Sequence, residues 1–287
     1  MTATKAIEAQ AFEAQAVEAA SFVALRSLID DGEVALLSGA GLSTDSGIPD
    51  YRGPSGAARK HAPMQFGAFV NDRSARHRYW ARSYLGWRSI ASARPNDGHR
   101  AVAALQQAGR LRGIITQNVD GLHQAGGALD VIELHGGLDR VVCLDCGARE
   151  SRFALDARLR AANPQFDADV AALNPDGDVE LADADLAEFR MVSCHTCGRD
   201  RVKPDVVFFG ENVPRERVTN CFEIVVGARA LLVVGSSLTV MSGLRFVRRA
   251  AALGIPVAIV NQGPTRGDDL ATVRIDAALG RVLPALL

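Results

Sequence analysis

Val34-Ala35-Leu36-Leu37-Ser38-Gly39-Ala40-Gly41-Leu42-Ser43 reads as a short strand that runs straight into a glycine-rich turn. The apolar run does not alternate with polar residues, which suits a strand covered on both faces. Glycine at the strand's end lets backbone approach a phosphate closely, and turn amides can hold pyrophosphate oxygens. A tight strand-to-helix turn would use the same residues, so this segment alone leaves both readings open. It lacks the third glycine of the full dinucleotide fingerprint, and no clear acidic residue ends a second strand about 20 positions on.

Further along the chain, Gly113 to Thr116, Val206 to Phe209, Ala230 to Val234 and Val257 to Val260 repeat the short, β-branched, apolar pattern. Amphipathic stretches with helical spacing lie between them, at Arg100 to Gln107, Arg215 to Val226 and Gly243 to Leu253. That order predicts βαβ units, hence an α/β fold with a parallel sheet and helices on both faces. Two regions break the rhythm. Tyr51 to Arg94 carries both tryptophans and no clear strand, so it reads as loop followed by helices. Val141 to Arg201 carries four of the five cysteines and a polar middle, Asn163 to Asp185. Both are expected in a smaller inserted module. The expected partition is 21–52, 95–140 and 202–287 for the sheet domain, with 53–94 and 141–201 for the small one.

The chain's 287 residues suffice for this arrangement, and 48% hydrophobic with 23% charged residues is a globular balance. With 32 basic and 33 acidic residues the net charge is -1, which gives no sign of a nucleic-acid partner. No apolar run approaches the roughly 18 residues of a membrane span. Met1 to Ala20 is Ala-Glu-Gln rich, lacks a secretory pattern and reads as a solvated helix. A reducing, cytoplasmic location is therefore expected, where cysteines serve metal or catalysis rather than disulfides.

Several strand ends carry chemistry. Ser43-Thr44-Asp45-Ser46-Gly47-Ile48-Pro49-Asp50-Tyr51-Arg52 follows the first strand with little helical character, as a contact loop would. Gln117-Asn118-Val119-Asp120-Gly121-Leu122-His123 follows the second, at the carboxyl edge where open α/β sheets place ligands. A helix cap by Asn118 or Asp120 accounts for one of these polar residues but not for Gln117, Asn118 and Asp120 together. Glu133-Leu134-His135-Gly136 supplies an imidazole, partly neutral near pH 7 as a general base requires. Gly235-Ser236-Ser237 and Asn261-Gln262-Gly263 end two more strands. One long ligand lying along the sheet edge explains the set.

Cys143-Leu144-Asp145-Cys146 and Cys194-His195-Thr196-Cys197, each followed by glycine, have the spacing that gives tetrahedral zinc four thiolates. Four thiolates leave no open coordination position, so the metal is expected to be structural. Cys221, in an apolar helix, reads as packing.

The motifs Gly39 to Arg52, Thr116 to Asp120, Leu134-His135-Gly136, the two cysteine pairs, Lys203 to Glu211, Gly235-Ser236-Ser237 and Asn261 together resemble the sirtuins, NAD-dependent protein lysine deacylases. The resemblance covers about residues 25 to 285 in family order and is strongest to the class II branch, with Tyr79 to Arg82 and Gly263 to Arg266 matching its mitochondrial members. It implies a Rossmann-like, doubly wound large domain, a small helical and zinc-bearing domain, and NAD between them. Gly39, Ala40, Gly41, Thr44, Asp50, Tyr51 and Arg52 would then form the cofactor loop, with Gln117, Asn118 and Asp120 at the nicotinamide ribose and carboxamide. Gly235, Ser236, Ser237, Asn261, Gln262, Gly263 and the backbone near Leu279 would hold the adenosine half. His135 would be the base, assisted by Asn118 and Asp120. An acyl-lysine strand would add between Phe209-Gly210-Glu211 and Leu238-Thr239-Val240 by β-augmentation. Tyr79 and Arg82 would face an acidic acyl group. Where many members carry a proline, this chain has Met241-Ser242-Gly243. The rival readings are transfer of ADP-ribose to protein, a non-enzymatic NAD- or zinc-dependent module, and hydride transfer.

Overall fold

The computed structural model describes residues 19–51, 63–166, 174, 177–179, 186 and 188–287. Most of the Ala-Glu-Gln-rich start, Arg52, and much of the stretch from Asn163 to Asp185 lie outside the described residues. The first described element is a helix, α1, seen over 19–30. The strands are β1 (Val34–Ser38), β2 (Leu111–Thr116), β3 (Ile132–Glu133), β4 (Gly136–Cys143), β5 (Arg149–Ser151), β6 (Val202–Val206), β7 (Ala230–Val234), β8 (Val257–Val260) and β9 (Val273–Ile275). The further helices are α2 (Phe66–Asn71), α3 (Arg73–Ser92), α4 (Asp97–Gln107), α5 (Leu122–Ala125), α6 (Arg152–Ala162), α7 (Arg215–Val226), α8 (Met241–Ala252) and α9 (Leu279–Val282).

Six strands form one parallel sheet in the order β3-β2-β1-β7-β8-β9. β1 is its axis and is buried at every residue. Side chains alternate across a strand, so Val34 and Leu36 pack with Leu25 and Ile29 of α1 and Val102 of α4. Ala35 and Leu37 pack on the other face with Val225 of α7 and Phe246 of α8. Burying each such aliphatic side chain stabilises by roughly 1.5–3 kcal/mol, which is why the uninterrupted apolar run dictates a doubly covered strand. Successive strands leave β1 in opposite directions, β2 and β3 on one side and β7 to β9 on the other. The strand order reverses between β1 and β7, the place where such sheets open a crevice.

The second sheet is antiparallel, β5-β4-β6. β4 starts at Gly136, and β6 ends at Val206. The expected strand Val206 to Phe209 is therefore corrected: Val206 is the last residue of β6 and belongs to the small sheet, while Phe209 makes only an isolated parallel bridge with Gln65. The apolar run there serves instead to pack Phe208 against Phe69 and Tyr79, with ring centroids 5.2 Å apart in each pair. Tyr79, Trp80 and Tyr84 of α3, Leu155 and Leu159 of α6, and Cys143 and Cys194 make this sheet's separate core. No helix of the described residues is long and apolar enough to cross a membrane.

Candidate active site and metal centre

The carboxyl ends of β1, β2, β7 and β8 converge on a cleft of about 890 Å³, within the range of small-molecule sites. Gly39, Ala40, Gly41, Asp50 and Tyr51 line it from the first loop, and Gln117, Asn118 and Asp120 from the second. His135, Gly235, Ser236, Ser237, Asn261, Gln262 and Gly263 line it too, as do Phe209, Gly210, Glu211, Leu238 and Val240. The loops meet so closely that a Cβ on Gly39 would lie 2.7 Å from Gly235 O, and one on Gly41 2.9 Å from Gly235 Cα. Glycine is needed here for the approach of one backbone to another.

Side chains hold the second loop against the first. Asn118 Nδ2 donates to Gly39 O at 3.1 Å and to Ser43 Oγ at 3.0 Å, while Ser43 Oγ donates to Asp120 Oδ2 at 2.7 Å. The backbone N–H of Leu122 donates to Asp120 Oδ1 at 2.9 Å. Burial raises the Asp120 carboxyl above its usual value, against these hydrogen bonds. Gln117 Nε2 donates to Ser236 Oγ at 2.8 Å and to Ser38 O at 3.2 Å, linking the ends of β1, β2 and β7. Behind the first loop, Asn96 opens α4 with a capping box to His99 and donates to Leu42 O at 2.7 Å and Ser46 Oγ at 3.0 Å.

His135 sits half-buried between the sheets. Its Nδ1 is 2.9 Å from Gln117 O, an atom that can only accept, so Nδ1 carries the proton. Nε2 is thereby left with a lone pair and lies 2.8 Å from Ser242 Oγ. Desolvation lowers the ring's pKa, the Gln117 carbonyl opposes that, and the cations of Arg217 and Arg245 lower it further. The arrangement is a neutral imidazole with a defined basic nitrogen.

Some expected residues fall elsewhere. Arg52 lies outside the described residues. Thr44 does not line the cleft; its Oγ1 donates to Gly41 O at 3.0 Å and shapes the loop. Leu279 is buried in the core on the α1 face of the sheet. Tyr79 and Arg82, expected at an acidic acyl group, do not line the cleft either. The Tyr79 ring is packed edge-on against Phe69, Trp80 and Phe208, so α3 spends that face on its core. Glu211 lines the cleft, but its Oε2 accepts from Lys203 Nζ at 3.0 Å and from the Phe208 N–H at 2.9 Å, which fixes the loop. Ser43 and Ser242, absent from the expected site residues, are the two hydroxyls that organise it. Ser242 falls in the Met241-Ser242-Gly243 stretch.

The metal centre tests its own donor set. The four Sγ atoms of Cys143, Cys146, Cys194 and Cys197 lie within 4.8 Å of one another, with Cys143–Cys197 at 3.7 Å and Cys146–Cys194 at 3.8 Å. Tetrahedral zinc with Zn–S near 2.3 Å needs S···S separations of about 3.8 Å. Cys146, despite a lowering hydrogen bond from the Ala148 backbone, is pushed up to about 12 by desolvation and the adjacent sulfurs. Cys194, despite desolvation, comes down to about 6 because the Cys197 and Thr196 backbones donate to it. Four sulfurs this close cannot all be thiolates without a cation between them. Soft donors in this geometry fit zinc, with no position left for a substrate.

The profile of the Sir2 family matches residues 39–242. A Streptomyces coelicolor protein named NAD-dependent protein deacetylase 1 is 59% identical over 252 residues, covering 88% of this chain and 84% of that protein. A Mycobacterium avium protein of the same name is 50% identical over 256 residues, 88% of this chain and 90% of its own. A solved structure described as "Sir2-p53 peptide-NAD+" superposes with a TM-score of 0.71 at 28% identity, over 91% of this chain and 94% of that one. Another, "Structural Basis for the Mechanism and Regulation of Sir2 Enzymes", gives 0.72 at 30% identity, over 93% and 96%.

Proposed function

The chain belongs to the Sir2 family, and from that premise we propose that it is an NAD-dependent protein lysine deacetylase whose base is His135. The cleft's volume, its glycine-bounded loop and the polar ends of four strands fit a dinucleotide. When bound, NAD supplies a cationic nicotinamide leaving group and an electron-poor ribose carbon, on which the acyl oxygen of the modified lysine is captured.

The protein's residues do the rest. Ala40, Gly41 and the Ser236 loop bind the phosphate and adenosine parts, while Asn118 and Asp120 orient the nicotinamide ribose from the Ser43 hydrogen-bond hub. His135, fixed in the Nδ1–H tautomer by Gln117 O, accepts a ribose hydroxyl proton at Nε2, so that the freed oxygen attacks the acyl carbon. Acyl-ADP-ribose, nicotinamide and unmodified lysine are the products. Phe209-Gly210-Glu211 and Leu238-Thr239-Val240 both line the cleft, and between them the peptide is received as an added strand. Zinc on the four cysteines braces the small sheet and takes no part in proton transfer.

The observation that carries this reading is a neutral imidazole with a defined basic nitrogen at the junction of the four strand ends. Mass spectrometry of an acetyl-lysine peptide incubated with NAD tests it. Acetyl-ADP-ribose and free lysine are expected, and both should disappear in His135→Ala. ADP-ribosylated protein with intact acetyl-lysine would instead establish transfer of the sugar to protein.

A further inference from the structure

We propose that Ser242 is a proton relay: the sugar hydroxyl gives its proton to Ser242 Oγ, and Ser242 passes its own to His135 Nε2. This rests on the assignment of His135 as base, and it changes what touches that base.

Imidazole nitrogen offers one in-plane lone pair. Nδ1 is committed as a donor to Gln117 O at 2.9 Å, so the lone pair belongs to Nε2, and Ser242 Oγ lies 2.8 Å from it. Two acceptors cannot share a bond without a proton, so the serine O–H donates and its two oxygen lone pairs remain for other partners. Ser242 itself lines the cleft and is only half-buried, so those lone pairs are reachable from the ligand side. The hydroxyl is carried by the second residue of α8, a helix whose Leu244, Phe246 and Val247 are buried in the sheet core, which anchors the backbone beside the ring. A hydroxyl that approaches Nε2 therefore finds the Ser242 hydroxyl already bonded there.

The transfer balances. One O–H bond breaks on the sugar and one forms on Ser242, whose original O–H breaks as an N–H forms on His135 Nε2. One proton and one positive charge arrive on the ring, and the serine ends as it began. The charged groups that face the ring are Arg217 from α7, which donates to Leu134 O at 3.3 Å, and Arg245, one turn along α8. Both oppose protonation, so the ring returns the proton readily once the acyl carbon has been attacked.

The relay is tested with Ser242→Ala, Ser242→Thr and His135→Ala in the full chain. In the NAD-free protein, nitrogen NMR of the histidine rings follows His135 directly. Ser242 donates to the neutral ring but accepts from the protonated one, and the bond to the charged form is the stronger, so in Ser242→Ala the ring should titrate at lower pH, and threonine should restore the wild-type value. With an acetyl-lysine peptide and NAD, Ser242→Ala should lower kcat for acetyl-ADP-ribose by about tenfold or more, part of the usual general-base contribution. KM for NAD should stay within about twofold, and threonine should recover most of the rate. A Ser242→Ala protein that melts normally, with wild-type kcat or an unmoved His135 titration, would overturn the relay. A parallel rise in KM with no loss of kcat would also overturn it, by reducing Ser242 to a binding contact. If His135→Ala itself keeps full turnover, the base assignment fails rather than the relay alone.

Discussion

Replacing Gly136 by alanine perturbs the residue immediately after the base. Gly136 has φ 83°, the left-handed region, and pairs with Val206 across β4 and β6. A Cβ there would overlap the carbonyl oxygen of Asp205 and stand 2.9 Å from its carbon and 3.0 Å from Val206 Cα, all of it backbone that cannot rotate aside. Left-handed backbone costs an alanine about 1–2 kcal/mol. Prising β6 away also strains the bond from the Val207 N–H to His135 O, 2.8 Å long and worth roughly 1 kcal/mol, and overpacking adds roughly 1–3 kcal/mol more. The total, about 3–6 kcal/mol, should lower Tm by roughly 5–10 °C for a chain of this size. The same displacement carries the His135 backbone with it, and a shift of about 1 Å at a catalytic group costs on the order of 100-fold in rate. Gly254→Ala separates the two contributions: its φ is 70° but nothing lies within 4 Å of the added carbon, so it should show the strain alone. Calorimetry and acetyl-peptide turnover read both variants. If Gly136→Ala melts no lower than Gly254→Ala and turns over at the wild-type rate, the close approach of the two strands does not hold His135 in place.

Cys143→Ser should lose the bound zinc, measured by elemental analysis, and destabilise the small sheet, because metal binding at such sites is folding free energy; full metal content with unchanged melting would contradict the assignment. Turnover should rise with pH through a limb below the ordinary histidine value of about 6.5, since burial disfavours the cation of His135 and only the neutral ring accepts a proton; Arg245→Ala should move that limb upward. His99 and His123 are held at about 3 and about 4 by desolvation, in a buried pair with ring centroids 5.3 Å apart. Both are depressed below the unfolded value, so their contribution to stability is complete above pH ~6.5 and is lost as pH falls toward their folded values, by about 1.4 kcal/mol per pH unit for each ring. Denaturant midpoints at pH 7, 6 and 5 should decline accordingly, and NMR should find both rings neutral at pH 5; a protonated ring at pH 5 would refute the burial argument.

The strands at β1, β7 and β8 were legible because burial on both faces removes alternation and leaves an apolar run of strand length. The same rule misplaced Val206 to Phe209, since apolar composition reports burial and not which sheet does the burying. The zinc knuckles were legible because ligand spacing is local, and four sulfurs carry the geometry in their sequence intervals. For Tyr79 and Arg82, i and i+3 on a helix fix a shared face without saying whether core or ligand lies opposite. Ser43 and Ser242 were hidden for a different reason. Hydroxyls acquire a role only from partners distant in sequence, Asp120 and Asn118 for the first and His135 for the second.

His135 is the last residue before the chain leaves the large sheet for the small one, and the Val207 N–H bonds back to its carbonyl just after the chain returns from β6. The outgoing and returning connections thus meet at one peptide, so a displacement of β6 and the aim of the imidazole are tied to each other through a single backbone bond.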